Sequence, residues 1–456
     1  LGADAGVAAT SPALRTFRPI AVGVPNLDLI GNNEGGAVDL YLTDGSIQVL
    51  TEQKLGLIGE DEGTFDRFGS AVTLADLNGD AYPDLVVGAP GNPVDGSTPG
   101  HVDVLLGSAL GITDQGATTL PSPAKPGDEF GASVAVSGST LWIGAPGTDS
   151  AGAANSGAVY RYAIDANGKA TLQGSTTEAT LGASLQANER FGEVLAPAQG
   201  GVVVGVPTKN VGSASAAGQI VRLRQSESDA ITAEILNQNS TGVPGTAEAG
   251  DHFGAAVSVN GYVVGVPGED VGTLKNAGGV QNFRFGDLGQ KMVPSVFQTQ
   301  DSKGVPGAAE AGDQYGAAVT VGLFDCHEVF SKAVGAPGED LGKATNAGSV
   351  TLSNLEVGNY PCSARVLRQG KGLPGSAETG DAVGSAVGSV NGDSDLEEDR
   401  TDVLLVGAPG EDVGTAKAGR DVGRVTTRNA WLGTTQGFGF AGGDRQNLGY
   451  GSVFGS

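Results

Sequence analysis

Apolar residues fall in short runs along most of the chain, and Gly or Asn turns separate one run from the next. A representative unit reads GAAVSV at 254–259, YVVGV at 262–266 and GGVQNF at 278–283, followed by a weaker fourth run. Runs this short and rich in Val, with turn residues between them, are typical of antiparallel β-meanders. The pattern therefore predicts an all-β chain built from four-stranded units.

The same unit recurs along the chain, and a Phe-Gly pair or a variant of it marks each copy. Successive pairs are 61 to 68 residues apart, a period that decides the architecture before any local motif does. Six pairs are followed by a β-type run that ends in Gly-Ala-Pro or Gly-Val-Pro. The pairs begin at Phe68, Phe130, Phe191, Phe253, Tyr315, Val383 and Tyr450, and the triplets begin at Gly88, Gly144, Gly205, Gly265, Gly335 and Gly407.

The two ends of the chain carry complementary halves of one unit. A triplet at 23–25 has no pair before it, and the pair at 450–451 has no triplet after it. Four-stranded units arranged radially form β-propellers, and a closing sheet removes open strand edges. We therefore predict a seven-bladed β-propeller of four-stranded antiparallel blades over 18–456, after an N-terminal extension at 1–17. Its closing blade joins about 18–52 to 445–456, with strand one from GYGSV and strands two to four from PIAVGV, GAVDLYL and SIQVL. A solenoid is the alternative, but it leaves the complementary halves unexplained.

These pairs and triplets make the sequence resemble the FG-GAP repeat family, which includes integrin α subunits and many secreted bacterial proteins. Six units carry both halves of the signature, although Tyr315 and Val383 replace the phenylalanine. The resemblance implies a seven-bladed propeller outside the cell, either secreted or at the cell surface. It leaves the activity open, because one fold hosts many functions. We interpret the pairs and triplets themselves as structural.

The chain is strongly acidic, with 51 acidic against 26 basic residues and a net charge of −25. Such a surface repels phosphate backbones, so we expect no nucleic-acid partner. No window has the sustained apolar run of a membrane span, and we expect no membrane insertion. The charge suits a cation binder or a receptor for a basic partner. The chain starts at Leu1 and its one methionine is Met292, so we expect that an N-terminal leader has been removed.

The loop between the first two runs of the first full unit has the ligand spacing of a calcium site. Asp76, Asn78, Asp80 and Asp84 occupy positions 1, 3, 5 and 9, and the carbonyl of Tyr82 is available at position 7. Oxygen ligands in this order form the cage that Ca²⁺ requires, and the resemblance implies calcium in the same hairpin. The alternative is a solvated Asn-Gly hairpin turn.

A second loop repeats this spacing in the last full unit. Its residues are Asn391, Asp393, Asp395, Glu397 and Asp399. It starts with asparagine and has three extra residues before the next strand, so either an acidic surface loop or a weaker calcium site fits. We expect any bound ion to brace a hairpin against carboxylate repulsion.

Two cysteines, Cys326 and Cys362, fall in the same unit, one between strands one and two and one between strands three and four. Alternating connections of a meander place both loops on one face of the blade. One disulfide is therefore the expected arrangement in an oxidising compartment. A catalytic or metal-binding cysteine is the alternative.

The opposite face has three nearly identical acidic loops, which begin PGED at 267, 337 and 409. They are preceded by GVPGTAEAGD, GVPGAAEAGD and GLPGSAETGD, which place Asp251, Asp313 and Asp381 beside them. The predicted ligand-binding residues are Glu269, Asp270, Glu339, Asp340, Glu411 and Asp412. In the integrins that the chain resembles, this is the ligand-facing side. Either this acidic arc binds a basic or cation-bridged partner, or the loops are duplicated solvated turns.

Catalytic motifs are scarce in the sequence. The three histidines, His101, His252 and His327, lie in different units, and no Gly-x-Ser-x-Gly elbow or Walker-type loop is present. We therefore predict a non-catalytic binding or adhesion module for a protein partner. A lectin-like glycan-binding propeller is one alternative, although Trp142 and Trp431 lie in or beside strands and are expected to pack there. A secreted hydrolase is the second, since propellers can place acids around a central channel.

Overall fold

The computed structural model describes most of the chain. The described residues are 19–27, 35–42, 46–57, 66–91, 98–112, 117–226, 228–285, 291–324, 330–355, 363–390, 402–411, 424–429, 434–438 and 453–455. The candidate calcium loop at 391–399, both cysteines, Asp412 and Trp431 lie outside them.

Almost all regular structure in these residues is β-strand. The helices are α1 (Glu52–Leu55) and a 3₁₀ turn at Val259–Gly261. The strands are β1 Ile20–Val24, β2 Ala37–Tyr41, β3 Ile47–Leu50, β4 Ala71–Ala75, β5 Asp84–Ala89, β6 His101–Leu105, β7 Thr118–Thr119, β8 Ser133–Ser137, β9 Thr140–Ala145, β10 Ala158–Ile164, β11 Ala170–Thr176, β12 Val194–Ala198, β13 Gly201–Val206, β14 Gln219–Gln225, β15 Ile231–Leu236, β16 Val263–Val266, β17 Gly279–Phe285, β18 Met292–Gln298, β19 Ala318–Gly322, β20 Ser331–Ala336, β21 Ser349–Asn354, β22 Arg365–Gln369, β23 Gly372–Leu373, β24 Val387–Val390, β25 Val403–Ala408, β26 Arg424–Asn429, β27 Thr434–Phe438 and β28 Val453–Gly455.

The strands pair into sheets that follow the chain in order. The sheets are β28-β1-β2-β3, β4–β7, β8–β11, β12–β15, β16–β18, β19–β23 and β24–β27. Pairing is antiparallel, except that the short β23 runs parallel to β22. The first strands of successive sheets lie beside one another, as β4 does with β8 and β8 with β12. The fold is therefore an all-β propeller with four-stranded antiparallel blades.

The predicted pairing between the two ends of the chain is present. Strand β28 lies antiparallel to β1, with Gly23 opposite Val453 and Ala21 opposite Gly455. The strand begins at the last residue of the predicted GYGSV segment. It also lies beside β4 of one neighbouring sheet and β24 of the other, so both flanks of this sheet are covered.

The predicted strand at 254–259 is wrong. This segment makes a single bridge between Val257 and Val264 and then turns into the 3₁₀ turn. The Ser258 side chain accepts a hydrogen bond from Val263 N at 3.0 Å, and Asn260 has a left-handed φ of 59°. A side-chain bond of this kind competes with the strand ladder, which leaves the β16–β18 sheet with three strands.

The residues of the Phe-Gly pairs fill the contacts between neighbouring sheets. Phe68, Phe130, Phe191, Phe253 and Tyr315 are fully buried, and Val383 is 1% exposed. The glycine of the triplet allows the backbone of the next pair to approach closely: a Cβ added at Gly88 would lie 2.0 Å from the carbonyl oxygen of Gly131. These positions have the packing role expected of them.

No helix in the part of the chain that the structure describes is long and apolar enough to cross a membrane.

Candidate functional site

The predicted calcium loop is an ordered turn anchored by Asp84. This residue starts β5, and its side chain is fully buried. Its carboxylate accepts hydrogen bonds from Leu77 N at 2.8 Å and from Gly107 N at 2.7 Å. Burial raises the pKa of Asp84, and the nearby charges of Asp80 and Asp76 raise it further. The loop is therefore fixed at its C-terminal end by a carboxylate with two backbone donors.

The other acidic side chains close the turn on its own backbone. Asp76 accepts hydrogen bonds from the amides of Gly79, Asp80 and Ala81 at 2.7 to 3.0 Å. Asp80 Oδ1 accepts from Tyr82 N, and Asp80 Oδ2 accepts from Asn78 Nδ2. The described geometry is thus that of a side-chain-stabilised turn. Calcium binding by these five residues stays a prediction.

The carboxylates of this loop are close but not gathered around one point. In the described part of the chain, three metal-ligating atoms come within 4.8 Å of one another at Glu52, His101 and Asp103, and not at Asp76, Asp80 and Asp84. Tyr82 is 41% exposed at the tip of the loop. Sequence spacing found the oxygen-rich loop. It gave no signal for the group around His101, because Glu52 lies 49 residues before the histidine.

On the opposite face, the glutamates of the PGED loops point into the contacts between sheets. Each accepts a hydrogen bond from the Nε2 of a glutamine in the preceding sheet, at the end of β22 or just beyond the end of β15 or β18. The pairs are Gln238–Glu269 at 2.7 Å, Gln300–Glu339 at 2.6 Å, and Gln369–Glu411. These three predicted ligand-binding residues are therefore hydrogen-bonded within the fold, and their role in binding a partner stays a prediction. We call each such pair an interblade brace.

One further interblade brace uses opposite charges at the same positions. Lys209 occupies the place of Glu269, and Glu178 occupies the place of Gln238. Lys209 Nζ donates to Glu178, to Glu189 Oε2 at 2.5 Å and to Ser184 O at 2.7 Å. The Lys209 side chain is 7% exposed, and both glutamates are fully buried. The PTKN sequence at 207–210, in the frame of PGED, was the available signal for this pair.

The aspartates of the PGED loops hold the shape of their own loops. Asp270 Oδ1 accepts a hydrogen bond from Asn276 N at 3.0 Å, and Asp340 Oδ1 accepts one from Asn346 N at 2.8 Å. The ε-ammonium group of Lys275 also donates to Asp270. Asp340 is exposed, whereas Asp270 is half-buried. Both residues therefore cap the backbone of their own loops.

The aspartates before the Phe-Gly pairs are buried beside these loops. Asp251, Asp313 and Asp381 each accept a backbone hydrogen bond from the glutamate three residues earlier, at 2.6 to 2.7 Å. Burial raises the pKa of Asp251 to about 6 and that of Asp313 to about 7. Burial likewise raises the pKa of Glu269 to about 7. Neighbouring carboxylates add to these shifts, so this face concentrates negative charge.

Three exposed acids on this face are residues that sequence reasoning passed over. Glu248, Glu310 and Glu378, in the segments AEAGD, AEAGD and AETGD, are all exposed. The charge of Glu248 acts on Asp251 and Glu269, and the charge of Glu310 acts on Asp313 and Glu339. Each buried acid is thus accompanied by an exposed acid, and the exposed ones are accessible to a partner.

Two segments of the chain match models of the FG-GAP repeat. They are residues 68–120 and 114–162. Mouse integrin alpha-IIb is 39% identical over 103 residues, which are 22% of this chain and 10% of that protein. Integrin alpha-PS3 of Drosophila melanogaster is 29% identical over 150 residues, or 31% of this chain and 12% of that protein. These similarities support a propeller of the FG-GAP kind.

An enzyme is among the similar proteins as well. Bovine phosphatidylinositol-glycan-specific phospholipase D is 33% identical over 148 residues, or 28% of this chain. The aligned part spans 18% of that protein. The matched portions of all three relatives are therefore less than a fifth of their lengths.

Proposed function

We propose that the chain is a non-catalytic, extracellular binding or adhesion module. It recognises a protein partner through the face that carries the PGED loops, and Ca²⁺ braces the Asp76–Asp84 hairpin at the other end of the strands. The FG-GAP matches and the integrin alpha similarities support the class of module. The observation that carries the proposal is the repeated set of exposed acids on one face.

We further propose that the sheets are the blades of one closed seven-bladed ring. Support comes from the pairing of β28 with β1 and from the contacts of β28 with both β4 and β24. Neighbouring first strands also include β16 with β19 and β19 with β24. In such a ring the loops that follow strand two and those that precede strand one share a face, which gathers the three acidic copies.

The acidic face divides into fold-bracing and partner-binding groups. Glu269, Glu339 and Glu411 are occupied by their glutamine partners. The recognition groups are therefore Glu248, Glu310 and Glu378, together with Asp340. Exposed charges on a rim steer association and set the partner's charge, so the partner's contacting surface is basic.

The test is a binding screen of the purified chain against an array of extracellular proteins and, in parallel, an array of glycans. Glu248→Lys, Glu310→Lys and Glu378→Lys, combined in one variant, should abolish binding to protein partners. Asp165→Lys serves as the control, because Asp165 is exposed on the hairpin between β10 and β11 at the other end of the strands. Protein binding that survives the triple reversal would refute the proposal.

Glycan binding without protein binding would favour the lectin-like alternative. Trp142, one of the two tryptophans, is fully buried, so it packs in the β8–β11 sheet and offers no ring to a sugar. The exposed aromatics in the described residues are Tyr82 and Phe330. A secreted hydrolase is the second alternative, supported by the aligned segment of phospholipase D, which spans 18% of that enzyme.

A further inference from the structure

Three metal-ligating side chains meet where the sheet closed by β28 packs against the β4–β7 sheet. Glu52 begins α1, directly after β3, and His101 and Asp103 lie on β6. One potential ligand atom from each lies within 4.8 Å of the other two. The group is distant in sequence from the Asp76–Asp84 loop and shares no residue with it.

The three ligand atoms lie close together. His101 Nε2 contacts Glu52 Oε1, and it lies 3.5 Å from Asp103 Oδ2. Zinc bonds of ~2.0–2.1 Å in a tetrahedral site set neighbouring ligand atoms roughly 3.3–3.4 Å apart. The distance from His101 Nε2 to Asp103 Oδ2 is therefore close to that between two ligands of a tetrahedral zinc ion. His101 Nε2 and Glu52 Oε1 are closer than this and would have to move apart to admit the ion.

Asp103 supplies the observation that points to a missing ligand. Its side chain is fully buried in the protein. Oδ1 accepts a hydrogen bond from Thr119 Oγ1 at 2.5 Å, whereas Oδ2 has no hydrogen-bond partner and is turned toward His101 Nε2. The His101 nitrogen lies beyond ordinary hydrogen-bond distance of this buried oxygen, and a buried carboxylate oxygen without a hydrogen bond is costly. Thr119 meanwhile holds the other oxygen, as outer groups orient the ligands of metal sites.

The local charge balance also favours a cation. The charged groups that act on Glu52 are His101, Asp66 and Asp103, so one imidazole faces three carboxylates. At the corresponding position of the β8–β11 sheet, Glu178 is instead neutralised by Lys209. A divalent cation would supply the positive charge that a lysine supplies there.

We propose that Glu52 Oε1, His101 Nε2 and Asp103 Oδ2 bind one divalent transition-metal ion of the zinc class. Imidazole nitrogen combined with carboxylate oxygen suits Zn²⁺, whereas Ca²⁺ and Mg²⁺ prefer all-oxygen sites. The His101 side chain is 23% exposed, which leaves a route for the ion and a place for a water ligand. The ion links α1 to β6 and so stabilises the contact between the sheet that contains β28 and the β4–β7 sheet.

The experiment uses the full chain stripped with a chelator and then titrated with Co²⁺ and Zn²⁺. Co²⁺ should give visible d–d absorption that saturates at one equivalent and is displaced by Zn²⁺, and Zn²⁺ should raise the midpoint of thermal unfolding. His101→Gln and Asp103→Asn should weaken Co²⁺ binding by at least about tenfold. His252→Gln should bind normally, because His252 lies in another sheet contact, near Pro207. Asp76→Asn should also bind normally, which separates this site from the calcium loop.

Two results would overturn the proposal. One is the absence of a saturable Co²⁺ spectrum in the wild-type chain. The other is Co²⁺ binding of equal strength in His101→Gln, which would place the ion elsewhere. If His101→Gln is less stable but metal changes neither the spectrum nor the unfolding midpoint of the wild type, His101 serves only as the ion-pair partner of Glu52 and Asp103. If His101→Gln does not fold, Glu52→Gln provides the same comparison, since it keeps an oxygen within reach of His101.

Discussion

Replacing Lys209 by Met tests whether the interblade braces stabilise the fold. The ammonium group is the shared partner of Glu178 and Glu189, and all three side chains are buried. Methionine fills a similar volume but carries no charge and donates no hydrogen bond. The change therefore leaves two buried carboxylates facing each other, with Ser184 O also losing its donor.

The expected cost follows from this geometry. Removing one partner of a buried ion pair costs about 3–5 kcal/mol, because the remaining charge is left uncompensated. Two carboxylates depend on Lys209, so we expect the upper part of that range. Gln219 Nε2 still donates to Glu178, which keeps one hydrogen bond and limits the loss. Lys169→Met is the matched control on an exposed hairpin and should change stability by no more than about 0.5 kcal/mol.

The chain itself provides the rescue. Combining Lys209→Glu with Glu178→Gln copies the Gln238–Glu269 brace into this position. Lys209→Glu alone adds a third carboxylate and should be the least stable variant. The double variant should recover most of the loss, with a coupling energy of about 2 kcal/mol or more in a double-mutant cycle. Urea unfolding followed by fluorescence measures the free energy of unfolding of the wild type, of Lys209→Glu, of Glu178→Gln and of the double variant. A Lys209→Met cost below about 1 kcal/mol, or an absence of rescue, would refute the reasoning.

Three further predictions concern calcium, pH and packing. Ca²⁺ should raise the melting temperature of the wild-type chain relative to chelator, and Asp76→Asn should remove most of that rise; equal shifts in both proteins would exclude the loop as the site. Burial, reinforced by Glu339 and Glu310, raises the pKa of Asp313 to about 7 from its ordinary 3.8. The stability that Asp313 contributes is therefore fully present below about pH 4 and is lost as pH rises through 7. Asp313→Asn should flatten this fall in the free energy of unfolding between pH 4.5 and 7.5, and an unchanged slope would contradict the assignment. Phe191→Ala, at a fully buried position, should cost about 3–5 kcal/mol in urea unfolding, and a cost under ~1 kcal/mol would show that the aromatic ring is not a packing element.

The repeat could be predicted because its positions require particular residue types: aromatic residues for packing between sheets, and glycines where a side chain would not fit. Phe-Gly pairs recur with a nearly constant period. The glycines of the Gly-Ala-Pro triplets lie where a Cβ would collide with the next sheet, as at Gly88. The strand order, the pairing of β28 with β1 and the burial of the pairs all follow from that pattern. The missing strand at 254–259 did not, because a single side chain, Ser258, diverts the backbone.

The buried polar contacts of Lys332 were beyond sequence reasoning. Lys332 lies in the run SKAVGA, where alternation alone does not reveal its surroundings. Lys332 is fully buried, and its ammonium group donates hydrogen bonds to Asn282 Oδ1 and Gln298 Oε1. Burial lowers the pKa of Lys332 to about 7. Its partners are 34 and 50 residues away. Such contacts depend on the three-dimensional register of two sheets, which no local pattern records.

The acidic loops show why repetition alone does not identify a binding site. Glu269 and Glu248 lie in equally repeated segments and carry the same charge, yet one is bonded to Gln238 and the other is exposed. The Lys209–Glu178 pair illustrates the difference, because the charge at this repeat position is reversed together with a change in the residue that it contacts inside the fold. A position that binds an external basic surface has no internal partner to compensate such a reversal. By this criterion we expect the PGED glutamates to belong to the scaffold and a partner to contact Glu248, Glu310 and Glu378.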